Sequence, residues 1–366
     1  MDCHRSVVAI VGDCYLVRKV SPTGQLITHW RKQEGRMPQI PSNTLDTAVY
    51  LYPSKDDAEN CVDAGGSGFL IAVSGKGGSW IYVVTNSHVA QKCKTVRLNT
   101  IAETKAIVEP EVWIEHPDPK TDLAIAPLGF RARMNIYRFQ VFMPQVHFID
   151  KTRLIDYRIG VGDDCYMIGR FVNHEGYQRN LPTARFGAIA QMPGEKIWTK
   201  WGEQEDAYLV DVRSISGFSG SPVVVRIPSW RARQLPIEGA TCEPWFDWHM
   251  LLGIDCGHSI DKGKSLYEAR EKEPLKDFEV EYNTGLAIVI PAWKLQEVID
   301  CEKASKMREE DKREYDKRTR GTRLDVREAS TQLTKPKKGA PVSIPIPTHE
   351  HFEHDLAKAT RKRSKT

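Results

Sequence analysis

A serine flanked by glycines is the most specific chemical signal in the sequence. Ser219 lies in the run SGFSGSP (216–222), between two strand-like segments, DAYLVDV and PVVVRI. A serine nucleophile needs a tight turn whose backbone N–H groups point at the developing oxyanion, and glycines permit the dihedral angles of such a turn. Ser219 is therefore the candidate nucleophile. The alternative is an ordinary glycine–serine turn of a β-hairpin.

A serine hydroxyl at neutral pH needs a nearby base, and two upstream segments supply a candidate histidine and candidate aspartates. His88 lies in the segment TNSHVA, directly after the apolar run WIYVVT. Asp122 lies in the segment HPDPKTDLAIA, where it begins a strand-like run. The same segment also contains Asp118. Taken singly, His88 could be a loop histidine and Asp122 a strand-entry cap. Together with Ser219, the order His, Asp, Ser favours a catalytic triad with Asp122 as its acid.

Short β-type runs separated by turn residues surround these three side chains. The first series consists of TAVYLY, GFLIAV, WIYVVT, TVRLN, AIVEPEVWI and DLAIAPL. After a less regular stretch, the second series consists of DCYMIGRF, TARFGAIAQM, DAYLVDV, SPVVVRI, HMLLGID and TGLAIVI. This pattern predicts an all-β protein with two strand-rich halves.

A second glycine-rich run, Gly65-Gly66-Ser67-Gly68, precedes the strand-like segment GFLIAV. A phosphate-binding loop would carry Lys followed by Ser or Thr and would lead into a helix, and this run does neither. We therefore interpret it as the turn before a strand.

The two ends of the chain differ in composition from the strand-rich part. Residues 1–44 alternate short apolar runs with Pro, Gly and basic residues, and predict an extension without a strand series. Residues 292–318 have helical composition with apolar positions that fade into charge, and predict one amphipathic helix. The Pro- and Lys-rich residues 334–366 have little to bury and are predicted to be disordered until bound.

The net charge of +4 is concentrated at the C-terminal end, since residues 301–366 carry +7 and the rest of the chain carries −3. A basic tail can attract nucleic acid, but a mixed-charge segment is more typical of a solvated extension. The composition, 40% apolar and 27% charged, is that of a globular protein. Runs of 18 or more apolar residues, which a spanning helix needs, are absent from the sequence, so we expect no membrane partner.

The eight cysteines include no CxxC pair, which excludes a zinc knuckle and a thioredoxin-type motif. His349, His351 and His354 could hold a transition metal, but they lie in the predicted tail without a rigid fourth ligand. We therefore predict no metal and no other cofactor. The N-terminal segment shows no convincing signal-peptide cleavage site, so we expect reduced thiols and a cytoplasmic location.

With these residues in place, the sequence resembles a chymotrypsin-fold (trypsin-like) serine protease, in particular the Deg/HtrA-type and glutamyl-endopeptidase-type bacterial enzymes. The segments TNSHVA, TDLAIA and SGFSGSPVV resemble the histidine, aspartate and serine motifs of that family. GLAIVIP resembles the last strand of Deg/HtrA protease domains, which a closing helix follows. The resemblance covers roughly residues 46 to 300.

The resemblance implies a fold and a domain organisation. The protease domain, residues 45–300, would consist of two six-stranded antiparallel β-barrels, the first over about 45–130 and the second over about 158–300. It would follow an N-terminal extension (1–44) and precede a charged helix and basic tail (301–366).

The resemblance also implies an activity, a serine endopeptidase, and a role for each motif residue. Ser219 attacks the scissile carbonyl, His88 shuttles the proton, and Asp122 fixes the imidazole tautomer and stabilises its charged form. The backbone N–H groups of Gly217 and Ser219 form the oxyanion hole. An acyl-enzyme intermediate follows from this division of roles.

Substrate preference in this family depends on residues shortly before the serine and on the strand after it. The matching positions here are Arg213, Ser214, Cys256, Gly257 and His258. An acidic substrate side chain is favoured if Arg213 points inward or if His258 reaches the pocket. If Arg213 faces solvent, the pocket is small and neutral.

Two departures from the family bear on partners. The residues after 300 are too few and too polar for the PDZ domain that Deg/HtrA enzymes usually carry. Loop 228–249 is longer than a tight turn and contains Trp230, Trp245, Phe246 and Trp248, which either pack over the barrel or form a docking surface or lid. We expect a protein substrate and a regulatory protein partner. The alternative is a catalytically silent protease-fold scaffold that binds partners through this loop and the basic tail.

Overall fold

The computed structural model describes most of the chain between residues 40 and 328 and three short N-terminal strands. The described residues are 6–11, 14–20, 26–32, 40–75, 78–128, 136–138, 140–171, 175–199, 204–212, 217–235, 247–266, 277–328, 331–333 and 343–345. The chain divides into two compact units, Met1–Ser305 and Lys306–Thr366.

A three-stranded antiparallel sheet occupies the described part of the N-terminal segment. Its strands, in spatial order, are β1 (Ser6–Val11), β2 (Cys14–Val20) and β3 (Leu26–Lys32). The sequence pattern predicts no strand series in this segment, and that prediction is wrong. The runs SVVAIV, CYLVRKV and LITHWRK are rich in β-branched and other apolar residues and are separated by Gly, Asp and Pro, which is typical of strands joined by turns, but basic residues within the second and third runs interrupt the apolar period.

The first strand-rich half forms a seven-stranded antiparallel sheet with the order β8-β7-β4-β5-β6-β10-β9. Its strands are β4 (Ala48–Tyr52), β5 (Gly66–Gly75), β6 (Gly78–Thr85), β7 (Thr95–Asn99), β8 (Lys105–Val108), β9 (Ile114–Glu115) and β10 (Ala124–Pro127). Short helices accompany them: a 3-10 helix (Ser42–Thr47), α1 (Lys55–Asn60), α2 (Ser87–Lys92), α3 (Pro144–His147) and α4 (Lys151–Asp156). The core of this half includes Leu51, Leu70, Val83, Val96 and Ala126, all buried.

The number of strands in this half differs from the predicted six. The segment AIVEPEVWI is two strands, β8 and β9, because Pro110 lacks the backbone N–H that a continuous ladder requires. In the described part of the chain the outer strands β8 and β9 do not pair with each other, so a closed first barrel stays a prediction.

The second half is a closed barrel of six antiparallel strands, as predicted, with the order β11-β12-β15-β18-β17-β16. Its strands are β11 (Asp164–Gly169), β12 (Thr183–Gln191), β15 (Tyr208–Asp211), β16 (Pro222–Ile227), β17 (Trp248–Leu266) and β18 (Asp277–Pro291). A small hairpin, β13 (Ile197–Trp198) and β14 (Gln204–Glu205), lies outside the barrel ladder, and α5 (Ser229–Ala232) follows β16. The barrel core contains Met167, Tyr208, Phe218, Val223 and Val289.

The aromatic residues of loop 228–249 have different surroundings. Trp248 is buried in the barrel core, with its ring 5.5 Å from that of Tyr157. Trp230, on α5, is 59% exposed. Trp245 and Phe246 lie outside the described residues. Packing over the barrel thus holds for Trp248, and a docking role stays a prediction for Trp230.

The chain after the barrel is helical. In α6 (Ala292–Asp300) the apolar residues Leu295, Val298 and Ile299 are buried. A second helix, α7 (Glu302–Glu328), begins after Cys301, whose backbone is extended, so the predicted single helix is two. In the predicted disordered stretch, β20 (Ser343–Pro345) pairs with β19 (Thr331–Leu333), so disorder does not hold there. Residues 334–342 and 346–366 lie outside the described residues.

Candidate active site

His88 and Asp122 are brought together by two neighbouring strands of the first half. Strands β6 and β10 are antiparallel, with Thr85 opposite Ala124. The residues that follow β6 and those that precede β10 therefore meet at the same end of this strand pair. His88 Nδ1 lies 2.6 Å from Asp122 Oδ2, and the backbone N–H of His88 donates to Oδ1 at 2.9 Å. One carboxylate therefore holds both the ring and the backbone of the histidine.

This contact assigns the imidazole tautomer. A carboxylate can only accept, so Nδ1 carries the proton and Nε2 of neutral His88 keeps its lone pair. The side chains of His88 and Asp122 are 21% and 12% exposed, and partial shielding from water strengthens the hydrogen bond between them. The pair is chemically suited to a general base.

Two polar residues beside His88, not predicted as site residues, fix the backbone of the aspartate. Asn86 Nδ2 donates to the carbonyl of Asp122 at 2.9 Å, and Ser87 Oγ donates to the carbonyl of Leu123 at 2.9 Å. Both belong to the segment TNSHVA. The sequence carries a signal for both residues, because polar side chains at the end of a strand commonly form hydrogen bonds with a neighbouring backbone.

Asp118, the other carboxylate of the aspartate segment, forms hydrogen bonds with neighbouring residues of the same segment. Its Oδ1 accepts from the N–H of Lys120 at 3.1 Å, and its own N–H donates to His116 Nδ1 at 3.0 Å. Its side chain is exposed. The geometry thus favours Asp122 over Asp118 as the partner of His88.

A buried carboxylate of the second half contacts the aspartate segment. Glu205, on β14, accepts a hydrogen bond from Thr121 Oγ1 at 3.3 Å, and Thr121 directly precedes Asp122. Burial raises the pKa of Glu205, and the hydrogen bond from Thr121 opposes the shift. The spacing of residues along the chain carries no signal for this contact, because it joins two distant segments.

Ser219 lies on a tight turn between β15 and β16, and it is partly exposed. Inside the turn, the N–H of Ser221 donates to the carbonyl of Phe218 at 2.8 Å. The N–H of Gly220 donates to the carbonyl of Asp255, on β17, also at 2.8 Å. Gly220 has φ +88°, and a Cβ there would lie 2.1 Å from the carbonyl oxygen of Ser67, so only glycine fits.

The serine turn and the histidine helix meet at Gly66. A Cβ on Gly66 would lie 2.9 Å from Val89 Cγ1, one residue after His88, and 3.2 Å from the carbonyl oxygen of Ser219. The next residue, Ser67, donates its N–H to that carbonyl at 3.0 Å. The structure therefore brings the segments of all three predicted triad residues to one place.

The predicted pocket residues are described only in part. Arg213 and Ser214 lie outside the described residues. Cys256 is buried in a small apolar cluster with Ala207, Ile288 and Ile290.

The remaining two pocket positions follow Cys256 on β17. Gly257 has φ +126°, and its N–H donates to Asp255 Oδ1 at 3.2 Å. His258 is partly exposed. Because the opposite wall is not described, the chemistry of the pocket stays a prediction.

The described residues contain no group of three or more His, Cys, Asp or Glu side chains that could hold a metal ion. They also contain no helix that is both long enough and apolar enough to span a membrane. The histidines 349, 351 and 354 lie outside the described residues.

The chain resembles chymotrypsin-fold serine proteases in a comparison with protein families. Residues 66–227 match the model of the trypsin-like peptidase domain, a span that contains His88, Asp122 and Ser219. A comparison with curated proteins found no match.

Solved structures match at low identity. "Crystal structure of Deg5" is 18% identical, with a TM-score of 0.35 and coverage of 58% of this chain and 80% of that chain. The HtrA-type protease AlgW is 16% identical, with a TM-score of 0.38. The match covers 71% of this chain and 62% of AlgW, so this chain spans less than two thirds of AlgW. The MamO protease domain from Magnetospirillum magneticum is 15% identical, with a TM-score of 0.40 and coverage of 70% and 96%.

Proposed function

We propose that this protein is a serine endopeptidase that cleaves protein substrates through His88, Asp122 and Ser219. The observation that carries the proposal is the double contact of Asp122 with the ring and the backbone of His88. A tight turn that presents Ser219 beside the histidine helix supports it, as does the match to the trypsin-like peptidase domain.

In the proposed reaction, Ser219 Oγ bonds to the scissile carbonyl carbon as its proton passes to Nε2 of His88. Asp122 stabilises the resulting imidazolium through Nδ1. The proton then moves to the leaving amine as the C–N bond breaks, which leaves an acyl-enzyme on Ser219. A water molecule, deprotonated by the same His88, hydrolyses this ester and restores the serine.

The oxyanion of each tetrahedral intermediate is assigned to the backbone N–H groups of Gly217 and Ser219. Hydrogen-bond donors that are already oriented before the reaction stabilise developing charge without reorganisation. Gly217 has φ +94°, a backbone conformation that glycine adopts without strain.

A fluorophosphonate probe tests the proposal, because it forms a covalent bond only with an activated serine. We expect the wild type to be labelled at Ser219, and Ser219→Ala and His88→Ala to remain unlabelled. Ser221→Ala is the matched control, since it removes a hydroxyl two residues away and should still be labelled.

The competing function is a catalytically silent scaffold with the same fold. A folded wild-type protein that resists the probe would favour it, whereas labelling that persists in Ser219→Ala would assign the activated serine to another position. The exposed Trp230 would then mark a candidate contact for a partner.

For substrate preference we propose cleavage after Glu or Asp, with Arg213 pairing with the substrate carboxylate. The physical basis is that a guanidinium pairs with a carboxylate through two parallel, charge-assisted hydrogen bonds. Profiling with a peptide library should show this preference, and Arg213→Ala should weaken it strongly. A preference for small or aliphatic residues that Arg213→Ala leaves unchanged would indicate a neutral pocket.

A further inference from the structure

Ser67 contacts both residues whose N–H groups are assigned to the oxyanion hole. On the basis of the proposed function, we infer that Ser67 is a positioning residue, which sets the orientation of Gly217 and Ser219 for catalysis. It lies on β5 of the first half, in the run Gly65–Gly68, and its side chain is fully buried.

Four hydrogen bonds converge on Ser67. Its Oγ donates to the carbonyl of Gly217 at 2.7 Å and accepts from the N–H of Arg170 at 2.9 Å. Its N–H donates to the carbonyl of Ser219 at 3.0 Å, and its carbonyl accepts from Thr85 Oγ1 at 2.8 Å. One residue thus connects the strand that leads to His88, the serine turn and the second barrel.

The direction of the Ser67 hydroxyl follows from its partners. The N–H of Arg170 can only donate and the carbonyl of Gly217 can only accept, so the hydroxyl proton points at Gly217. This bond holds the carbonyl of Gly217 toward β5. Gly217 has no side chain of its own to restrict its rotation, and the bond from Ser67 supplies such a restraint.

The serine turn is held from its other side by Phe218. This side chain is fully buried in the core of the second barrel. Together, Phe218 and Ser67 anchor the turn to the barrel core and to the first-half sheet. The proposed donors, Gly217 and Ser219, flank Phe218 directly, so a loss of either anchor changes the direction of their N–H groups.

Loss of the Ser67 hydroxyl leaves two groups without this partner, the carbonyl of the partly buried Gly217 and the N–H of the buried Arg170. Buried polar groups without partners are costly, so the turn is expected to shift until each finds another bond. A shift on the order of 1 Å at a catalytic group can reduce turnover about a hundredfold.

Ser221 provides a matched control for Ser67→Ala. It lies in the same turn, and its side chain is also fully buried. Its hydroxyl has no hydrogen-bond partner among the described residues. Ser221→Ala therefore makes the same chemical change at a site that leaves the orientation of the donors intact.

The experiment measures kcat per active site, with active sites counted by the fluorophosphonate probe, and the affinity for a peptidyl boronate. For Ser67→Ala we expect kcat per active site to fall roughly 10- to 100-fold at an unchanged KM, with boronate affinity falling in parallel. A boronate becomes tetrahedral on the serine, so its affinity reports the oxyanion hole. Ser221→Ala should stay within twofold of the wild type on both measures.

A purely structural role would lower the number of labelled sites and leave kcat per labelled site and boronate affinity unchanged. That result, or an equal loss in Ser221→Ala, would overturn the inference. If Ser67→Ala does not fold, Ser67→Cys fills the space with a weaker hydrogen-bond donor, and the same two losses are expected from it.

The failure of the proposed function would look different. A wild type that the probe does not label overturns the endopeptidase proposal, and the role of Ser67 with it. A labelled, active wild type with normal turnover in Ser67→Ala overturns only the role of Ser67.

Discussion

The base and the nucleophile of the candidate site are positioned by different kinds of contact. In the first half, His88 and Asp122 follow and precede strands that are neighbours in one sheet, so the register of β6 and β10 brings them together. In the second half, the turn that carries Ser219 depends on Asp255, on the buried Phe218 and on Ser67 from the other half.

Substitutions in the two halves are therefore expected to act in different ways, by removing a chemical group or by displacing groups that remain. A change within the histidine–aspartate pair removes a group that accepts the proton or orients its acceptor, and we expect little loss of packing because neither side chain is fully buried. A change in the supports of the serine turn moves groups that remain present. The first kind should reduce turnover at constant stability, and the second should affect both.

The largest effect is expected from His88→Ala. Under the proposed mechanism Ser219 then has no base, and kcat should fall by roughly a millionfold, as when the triad histidine of a serine protease is removed. Turnover of a peptide substrate measures the loss of the base, and the melting temperature measures any loss of stability. A melting temperature near that of the wild type is expected, and more than a tenth of wild-type turnover would remove His88 from the mechanism.

Asp122→Asn should reduce kcat about ten-thousandfold. The amide holds His88 in the wrong tautomer, with the proton on Nε2, although the shape of the site is retained. Asp118→Asn is the control, since this exposed carboxylate should be dispensable. The reverse result, an inactive Asp118→Asn and an active Asp122→Asn, would show that the choice of aspartate is wrong.

Phe218→Ala should lower both stability and turnover, which would sharpen the comparison with the histidine–aspartate pair. Removal of a buried phenyl ring from a packed core costs about 3 to 5 kcal/mol of unfolding free energy. Chemical denaturation measures this loss. Phe186→Ala, at a position 58% exposed on β12, is the control and should change the free energy of unfolding by about 0.5 kcal/mol or less.

Acid should destabilise the second barrel partly through His249. Burial lowers the pKa of His249 to about 4, whereas an unfolded histidine has a pKa near 6.5. The unfolded state therefore binds the proton first, and stability falls as the pH drops from about 6.5 to about 4. The melting temperature measured over this range should fall less steeply in His249→Gln. An equal slope in both proteins would contradict the assignment.

The smallest effect is expected from deletion of residues 311–366. This segment is basic and offers few apolar groups, so the catalytic unit should keep its kcat/KM and its melting temperature to within about 2 °C. Scanning calorimetry and peptide hydrolysis would measure both. A large fall in melting temperature would mean that the tail stabilises the first unit.

Sequence patterns predicted the second barrel and the candidate residues better than they predicted the ends of the chain. Alternating apolar runs with turn residues between them identify strands locally, and a glycine-flanked serine identifies a nucleophile turn from a few positions. The N-terminal strands carry the same pattern of short runs and turn residues, but basic residues such as Arg18, Lys19, Arg31 and Lys32 interrupt their apolar period. The segment AIVEPEVWI predicts one strand from its apolar residues, but Pro110 lacks a backbone N–H and divides it into β8 and β9.

The sequence by itself determined the types and order of the candidate catalytic residues, because each lies in a short motif with its own local signal. The sequence also favoured Asp122 over Asp118, because Asp122 directly precedes a strand-like run, and the tertiary structure added the contact of its carboxylate with His88. The tertiary structure alone revealed the role of Ser67, whose contact with Gly217 joins residues 150 positions apart in the chain. Such a contact depends on how two separately formed halves pack, and no local pattern of residues encodes that packing.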